Sequence, residues 1–171
     1  MTEILVQHTD ITRLEVNAIV NAANTSLLGG GGVDGAIHRA AGPELLNYCK
    51  TLGGCDTGEA RITPGYRLRA DHIIHTVGPV WHGGHQGEKA ELQSCYRQCL
   101  KLTDRHHIPS IAFPAISCGV YGYPHSEACA TAVEEVCSYL TDHTHLQLVI
   151  FACFSEAMYA QYKHALSRRT L

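Results

Sequence analysis

From Leu14 to His38, and again from His106 to Tyr162, the sequence has no lysine and no arginine. It has no basic run elsewhere either, and its formal net charge is -3. Proteins that bind nucleic acid do so by neutralising phosphates with Lys and Arg, so general nucleic-acid binding is disfavoured. No stretch approaches the 18 or so apolar residues of a membrane-spanning helix. The opening "MTEILVQHTD" has an acid at its third position and only a very short apolar run, so it does not read as a secretory signal. A soluble, cytoplasmic protein with no membrane partner is expected. Internal repeats, linkers and low-complexity segments are also missing, so residues 1–171 are read as one domain, long enough at 45% apolar residues to bury a sizeable core.

What the chain does have in quantity is cysteine and histidine, eight and twelve respectively. Cys95, Cys99 and Cys129 fall on the apolar stripes of predicted helices and Cys153 ends an apolar strand, so they read as buried thiols in a reducing compartment. The pairs His72/His75 and His82/His85 have a metal-like spacing. The first pair lies on a predicted strand, where a three-residue offset points the rings to opposite faces, and the second flanks Gly-Gly in a loop. No metal and no cofactor is expected. Asn24-Thr25-Ser26 matches a glycosylation acceptor, which has meaning only in a secreted chain.

Short apolar runs, Ile4 to Gln7, Ala18 to Ala23, His72 to Val77, Ser110 to Ile116 and Leu146 to Cys153, are continuous rather than strictly alternating. They predict strands buried on both faces. Between them lie helical stripes: Leu92, Cys95/Tyr96, Cys99 and Leu102; then Cys129, Val133, Val136 and Leu140; then Met158, Tyr162 and Leu166. "GEARITPGYRL" adds a strand interrupted by Pro-Gly, and so one expected at an edge. Strands alternating with helices predict an α/β sheet covered on both faces, whose ligands sit beyond the carboxyl ends of the strands.

Two loops qualify. "NAANTSLLGGGGVDGAIHRAAG" runs from Asn21 to Gly42, and "SCGVYGYP" from Ser117 to Pro124. Each follows an apolar strand and precedes a helix, which supplies free amides and the positive end of a helix dipole. With no cation in either loop, any phosphate is held by backbone amides, an arrangement better suited to a diphosphate diester than to a triphosphate. The P-loop lysine is missing, since no G-K-[ST] follows either loop. Gly30-x-Gly32-x-x-Gly35 matches the dinucleotide fingerprint, but Asp56, at the place of the ribose-binding acid, lies in a glycine-rich turn. Cys118 in its small loop has the form of a nucleophile without a partner histidine set beside it. Asp34 is out of place beside an anion. It reads either as the N-cap of the next helix or as a group acting on something other than the phosphates. Asn24 and Asp10 read equally as turn residues, and Tyr121 and Phe154 as core or rim aromatics.

The ordered set "HTDIT", "IVNAANTSLLGGGGVDGAIHRAAG", "GEARITPGYRL", "IIHTVGPVW" and "FPAISCGVYGYP" resembles the macrodomain family. More narrowly it resembles the MacroD-type branch of O-acetyl-ADP-ribose deacetylases and mono-ADP-ribosyl hydrolases, from about residue 3 to about residue 166. Thr9 stands where that family usually has glycine, and Cys118 where it usually has threonine. The resemblance implies a three-layer α/β/α fold around a mixed sheet, with ADP-ribose across its crest. It implies that Asp10 accepts from the adenine amino group beside the Ile11 backbone, and that Phe154 packs on adenine. Gly31, Gly32 and Val33, with Ala22 on the strand before them, would line one side of the ligand. Ser117, Cys118, Gly119, Val120 and Tyr121 would line the other, with Tyr121 over the distal ribose. Asn24 would position that ribose and Asp34 would activate a water, so that acetyl is removed from O-acetyl-ADP-ribose or mono-ADP-ribose from protein carboxylates. Modified proteins are therefore implied as partners. The rival reading is a non-catalytic ADP-ribose reader, which would use the same amides without needing the Asn24 and Asp34 pair.

Overall fold

The computed structural model describes residues 1–143 and 145–169. The described residues form six strands, β1 (Glu3–His8), β2 (Ala18–Ala22), β3 (Ala60–Pro64), β4 (His72–Thr76), β5 (Ser110–Phe113) and β6 (Leu148–Cys153). With them go five α-helices, α1 (Gly32–Ala41), α2 (Pro43–Lys50), α3 (Glu88–Arg105), α4 (His125–Asp142) and α5 (Glu156–Arg169). The strands make one sheet in the order β1-β6-β5-β2-β4-β3. Every pair in it is parallel except β3 with β4. The sheet is therefore mixed, as expected, and the Pro-Gly strand lies at its edge, ending at Pro64, which has no N–H for a further partner.

Successive strand residues point to opposite faces, and both faces are buried. Ala18, Val20, Ile74, Ile111, Phe113, Val149 and Phe151 pack with Leu92 and Tyr96 of α3, Val133 of α4 and Tyr162 of α5. The alternate residues Ile19, Ile73, Ala112, Ile150 and Ala152 pack with Ile37 of α1 and Leu45 of α2. This gives three layers, helices on either side of the sheet, and explains why the strands read as continuous apolar runs. Cys95, Cys99, Cys129 and Cys153 are buried free thiols in the first of these layers, as their positions on the stripes predicted.

Two boundaries differ from expectation. The strand predicted over Ser110 to Ile116 stops at Phe113, because Pro114 cannot donate to a neighbour. The strand predicted from Leu146 starts at Leu148, since the N–H groups of Gln147 and Leu148 both turn to the carbonyl of Pro109. None of the described helices is long and apolar enough to cross a membrane. No group of three or more His, Cys, Asp or Glu suited to a metal occurs among the described residues.

Candidate functional site

β2 lies between β4 and β5. The chain leaves β2 towards β3 and β4 on one side, whereas β5, β6 and β1 lie on the other. This reversal opens a crevice at the carboxyl ends of β2 and β5, where open α/β sheets bind ligands. Both candidate loops start there.

The loop after β2 is tied down by its own side chains. Asn24 Oδ1 accepts from the Ser26 N–H at 3.1 Å and from Ser26 Oγ at 2.6 Å, while Asn24 Nδ2 donates to the carbonyl of Gly29 at 2.9 Å. Leu27, fully buried, anchors the middle of the loop. Helix α1 begins at Gly32 with Gly31 as N-cap, and its first intrahelical bond runs from the Gly35 N–H to the Gly31 carbonyl at 3.2 Å. The N–H groups of Gly32, Val33 and Asp34 therefore belong to the turn that a helix start leaves without intrahelical acceptors. Gly35 is required by contact: a methyl group there would lie 2.5 Å from the Gly30 carbonyl oxygen.

The N-cap reading of Asp34 is thus corrected. Asp34 is the third residue inside the helix, and the cap is Gly31, three residues before the expected cap. The polar face of the turn brings Asp34 inward instead. It is 5% exposed, and Asn21 Nδ2 donates to its Oδ1 at 2.9 Å. His38, one turn on, brings its Nε2 to 3.5 Å of the same oxygen without a hydrogen bond among the described residues. The other carboxylate oxygen faces the loop. A methyl group on Gly30 would lie 3.2 Å from Asp34 Oδ2 and 3.4 Å from Asn24 Nδ2, so both side chains border the space beside Gly30.

Sequence reasoning did not single out Asn21, His38 or Thr63, and it noticed His75 only as half of a metal-spaced pair. Asn21 Nδ2 also donates to His75 Nδ1 at 3.1 Å, and His75 Nε2 meets Thr63 Oγ1 at 2.9 Å. His75 is completely buried, and burial, with His38 nearby, pulls its pKa down to about 3. The available signal was a polar residue interrupting an apolar strand. His72, three residues back on β4, is half-buried and points to the opposite face of the sheet, as the spacing on a strand predicted.

The loop after β5 is built from backbone. Ser117 takes a left-handed φ of 66° and its hydroxyl donates to the Pro79 carbonyl at 2.8 Å. Its own carbonyl accepts from the Tyr123 N–H, Gly122 bonds back to Gly119, and the Tyr121 carbonyl accepts from the Trp81 N–H. This leaves Gly119 exposed and Val120 100% exposed, with Tyr121 half-buried at the rim. Among the described residues Cys118 has no partner for nucleophilic chemistry: His125 Nε2 bonds its carbonyl, not its sulfur, and burial pushes the thiol up to about 12. Beside Tyr121 and Thr25 opens a cavity of about 390 Å³, also lined by Thr57, Gln86 and Glu91.

The remaining candidates lie at the ends of β1 and β6. Asp10 caps a 3-10 turn, Ile11–Arg13, with Oδ1 accepting from the Thr12 N–H at 3.0 Å and from Thr12 Oγ1 at 2.7 Å, so its turn role is real. Ile11 is buried beneath it. Thr9, at the usual glycine position, keeps its φ out of the left-handed region, and its N–H donates to the Cys153 carbonyl at 3.0 Å. Phe154 is 56% exposed one residue past β6. Ala22 ends β2. Asp10 thus follows a strand three positions from β2 in the sheet and Phe154 one two positions away, with β5 and its Ser117 loop between.

A family model for the macro domain matches residues 20–132. The chain belongs to the macro domain family. A macro domain-containing protein of Chlorobaculum tepidum is 62% identical over 158 residues, covering 92% of each chain. A protein of Salmonella gallinarum named O-acetyl-ADP-ribose deacetylase is 52% identical over 164 residues, covering 94% of this chain and 92% of its own. Among solved structures, an Oceanobacillus iheyensis macrodomain with ADP superposes with a TM-score of 0.93 at 45% identity, covering 96% of this chain and 90% of that one. A Trypanosoma brucei macrodomain in complex with ADP-ribose gives 0.91 at 46%, covering 95% and 68%. The α/β/α macro domain fold expected from sequence is therefore the fold of this chain.

Proposed function

We propose that this macro domain binds ADP-ribose along the carboxyl edge of its sheet and hydrolyses an ester at the distal ribose. Its substrates would be O-acetyl-ADP-ribose, protein carboxylates carrying mono-ADP-ribose, or both. The observation that carries this reading is the buried Asp34 carboxylate, held on one oxygen by Asn21 and turned with the other toward Asn24 across Gly30. A carboxylate next to bound diphosphate costs affinity, so a site built only to bind has no use for it. The relative named O-acetyl-ADP-ribose deacetylase and the neighbours holding ADP or ADP-ribose support the same ligand class.

In this reading Asp10 takes the adenine amino group, Ile11 contributes backbone beside it, and Phe154 covers the base. The amides at the start of α1, from its N-cap Gly31 to Val33, and the turn from Ser117 to Tyr121 hold the diphosphate from two sides without a cation, with Ala22 at the base of the crevice and Tyr121 over the distal ribose. Asn24 orients that ribose. Asp34, assisted by a phosphate oxygen of the ligand, orients a water and takes one of its protons as the oxygen attacks the acyl carbon. The bond from acyl carbon to ribose oxygen breaks, the ribose oxygen recovers a proton, and a carboxylic acid departs. The cavity beside Tyr121 and Thr25 gives the acyl side room.

The deciding experiment incubates the protein separately with O-acetyl-ADP-ribose and with glutamate-, serine- and arginine-linked ADP-ribosyl proteins and measures release. Release from the two ester substrates, and its loss in Asp34→Asn, is the expected result. ADP-ribose binding with no release from any substrate would make the protein a reader.

A further inference from the structure

Asn21, His75 and Thr63 stand on the adjacent strands β2, β4 and β3, on the sheet face that α1 and α2 cover, and all three are buried. Asn21 and His75 are register partners, and Thr63 lies diagonally across from His75. Nothing in the packing of an apolar sheet face calls for three polar side chains in a row, and burying them is costly unless each is paired. We propose that Thr63 and His75 are positioning residues for Asp34: the Thr63 hydroxyl fixes His75 as the Nε2–H tautomer, and that ring turns the Asn21 amide so that its nitrogen holds Asp34 Oδ1. The inference rests on the reading that Asp34 acts on water.

The hydrogens can be counted. Thr63 donates its proton to the Pro64 carbonyl at 3.2 Å, so at 2.9 Å its oxygen accepts from His75 Nε2–H. His75 Nδ1 is then an acceptor and takes one amide hydrogen of Asn21 at 3.1 Å, while the second amide hydrogen goes to Asp34 Oδ1 at 2.9 Å. The opposite tautomer would set an Nδ1–H against the Asn21 NH2. Relief would require the amide to turn over, which would place its oxygen against the Asp34 carboxylate. Either arrangement sets like against like in a dry site. Asn21 Oδ1 is buried with no partner among the described residues, so the amide leaves an acceptor unpaired in order to give both hydrogens in these two directions. The burial that keeps His75 uncharged near neutrality keeps its Nδ1 lone pair available.

This arrangement assigns the two carboxylate oxygens different tasks. Oδ1 is held from below, and Oδ2 is left to the crevice. A residue that fixes the carboxylate through two intermediaries should affect turnover more than ligand binding.

Thr63→Val keeps the shape and removes the hydroxyl, and Thr63→Ser restores it. Nitrogen NMR of the His75 ring, calorimetry with ADP-ribose and single-turnover acetate release from O-acetyl-ADP-ribose are measured on the parent and both variants. The parent should show the Nε2–H tautomer. Thr63→Val should move the ring toward Nδ1–H, slow release by about tenfold to a hundredfold and leave the ADP-ribose Kd within about twofold, and Thr63→Ser should match the parent throughout. A parent ring protonated on Nδ1 overturns the proposal with no variant needed. So does a Thr63→Val protein with parental turnover, or a Thr63→Ser protein as slow as Thr63→Val. A parent that releases nothing from any substrate overturns the hydrolase reading first, and the positioning role with it.

Discussion

Both loops at the carboxyl edge leave an apolar parallel strand and lead into an α-helix, yet only the one after β2 carries a buried carboxylate. There Asp34 is flanked by Asn24, Asn21 and His38, and a polar chain through His75 and Thr63 supports it from the sheet. After β5 the loop is held by backbone bonds, by the hydroxyl of Ser117 and by the His125 ring on the Cys118 carbonyl, with no carboxylate among them. Its one thiol is kept protonated by burial. The difference suggests a division of labour under the proposed function. The β5 loop contributes to affinity alone, and the β2 loop contributes to affinity through its amides and to chemistry through its side chains.

The strongest way to break that division is Asp34→Asn. The amide can keep an acceptor for Asn21 Nδ2, so folding is retained, and the charge beside the diphosphate is gone, so ADP-ribose should bind at least as tightly as to the parent. Turnover should fall by roughly 10²- to 10⁴-fold, the usual worth of general-base assistance. Stopped assays with O-acetyl-ADP-ribose and calorimetry on the same preparation measure both. Parental rates in this variant would return Asp34 to a structural role and remove the distinction between the loops.

The buried support of the β2 loop makes a second prediction, on stability. His75 has its folded pKa lowered from 6.5 to about 3, so the unfolded chain binds this proton more readily than the folded one. Stability is then lost as pH falls below 6.5, and this group alone should make unfolding about 2 kcal/mol easier at pH 5 than at pH 7.5. Glu88 does not confuse this window. Three backbone N–H groups, from His82, Gly84 and Gln86, hold its carboxyl at about 2, so its contribution is lost only as pH falls below 4.5. Urea midpoints at the two pH values, in the parent and in His75→Gln, test it; an equal drop in both would show that other groups are responsible.

How far the sequence carried this picture depends on how local each signal was. Strand and helix alternation was readable because burial on both faces writes itself as continuous apolar runs, and Asp34 stood out because a carboxylate sits badly beside an anion-binding loop, whereas Asn24 read as a turn residue until the family resemblance gave it a role. The N-cap reading failed because capping preference does not distinguish the residue before a helix from one inside its first turn, and Gly31 took the cap. The link between Asn21, His75 and Thr63 was invisible for a different reason, although His75 itself was noticed as half of a metal-spaced pair. Each is one polar residue in an apolar strand, and their relation exists only in the register of three strands that lie far apart along the chain.

At the far end of the crevice the comparison extends to Asp10. Its carboxylate is partly exposed and already accepts from Thr12, so it differs from Asp34 in both burial and duty. Asp10→Ala should weaken ADP-ribose binding by about 1 kcal/mol, the ordinary net worth of a hydrogen bond, with kcat unchanged. Calorimetry and saturation kinetics separate the two effects. A fall in kcat with unaltered affinity would mean the base does not lie at this end.

The smallest effect is expected at Cys118. Its sulfur touches the Ile116 carbonyl at 3.6 Å, its pKa is raised to about 12 by burial and secondarily by Cys153, and the nearby His125 ring is committed to the backbone carbonyl. At neutral pH almost none of it is thiolate, and the thiolate is the nucleophile. Cys118→Ala should therefore keep turnover and ADP-ribose affinity within about twofold, the scale of a modest packing change. Iodoacetamide should label the residue slowly in the folded parent at pH 7.5. Rapid labelling, or a loss of turnover in Cys118→Ala comparable to that in Asp34→Asn, would place chemistry in the β5 loop and end the division drawn between the two.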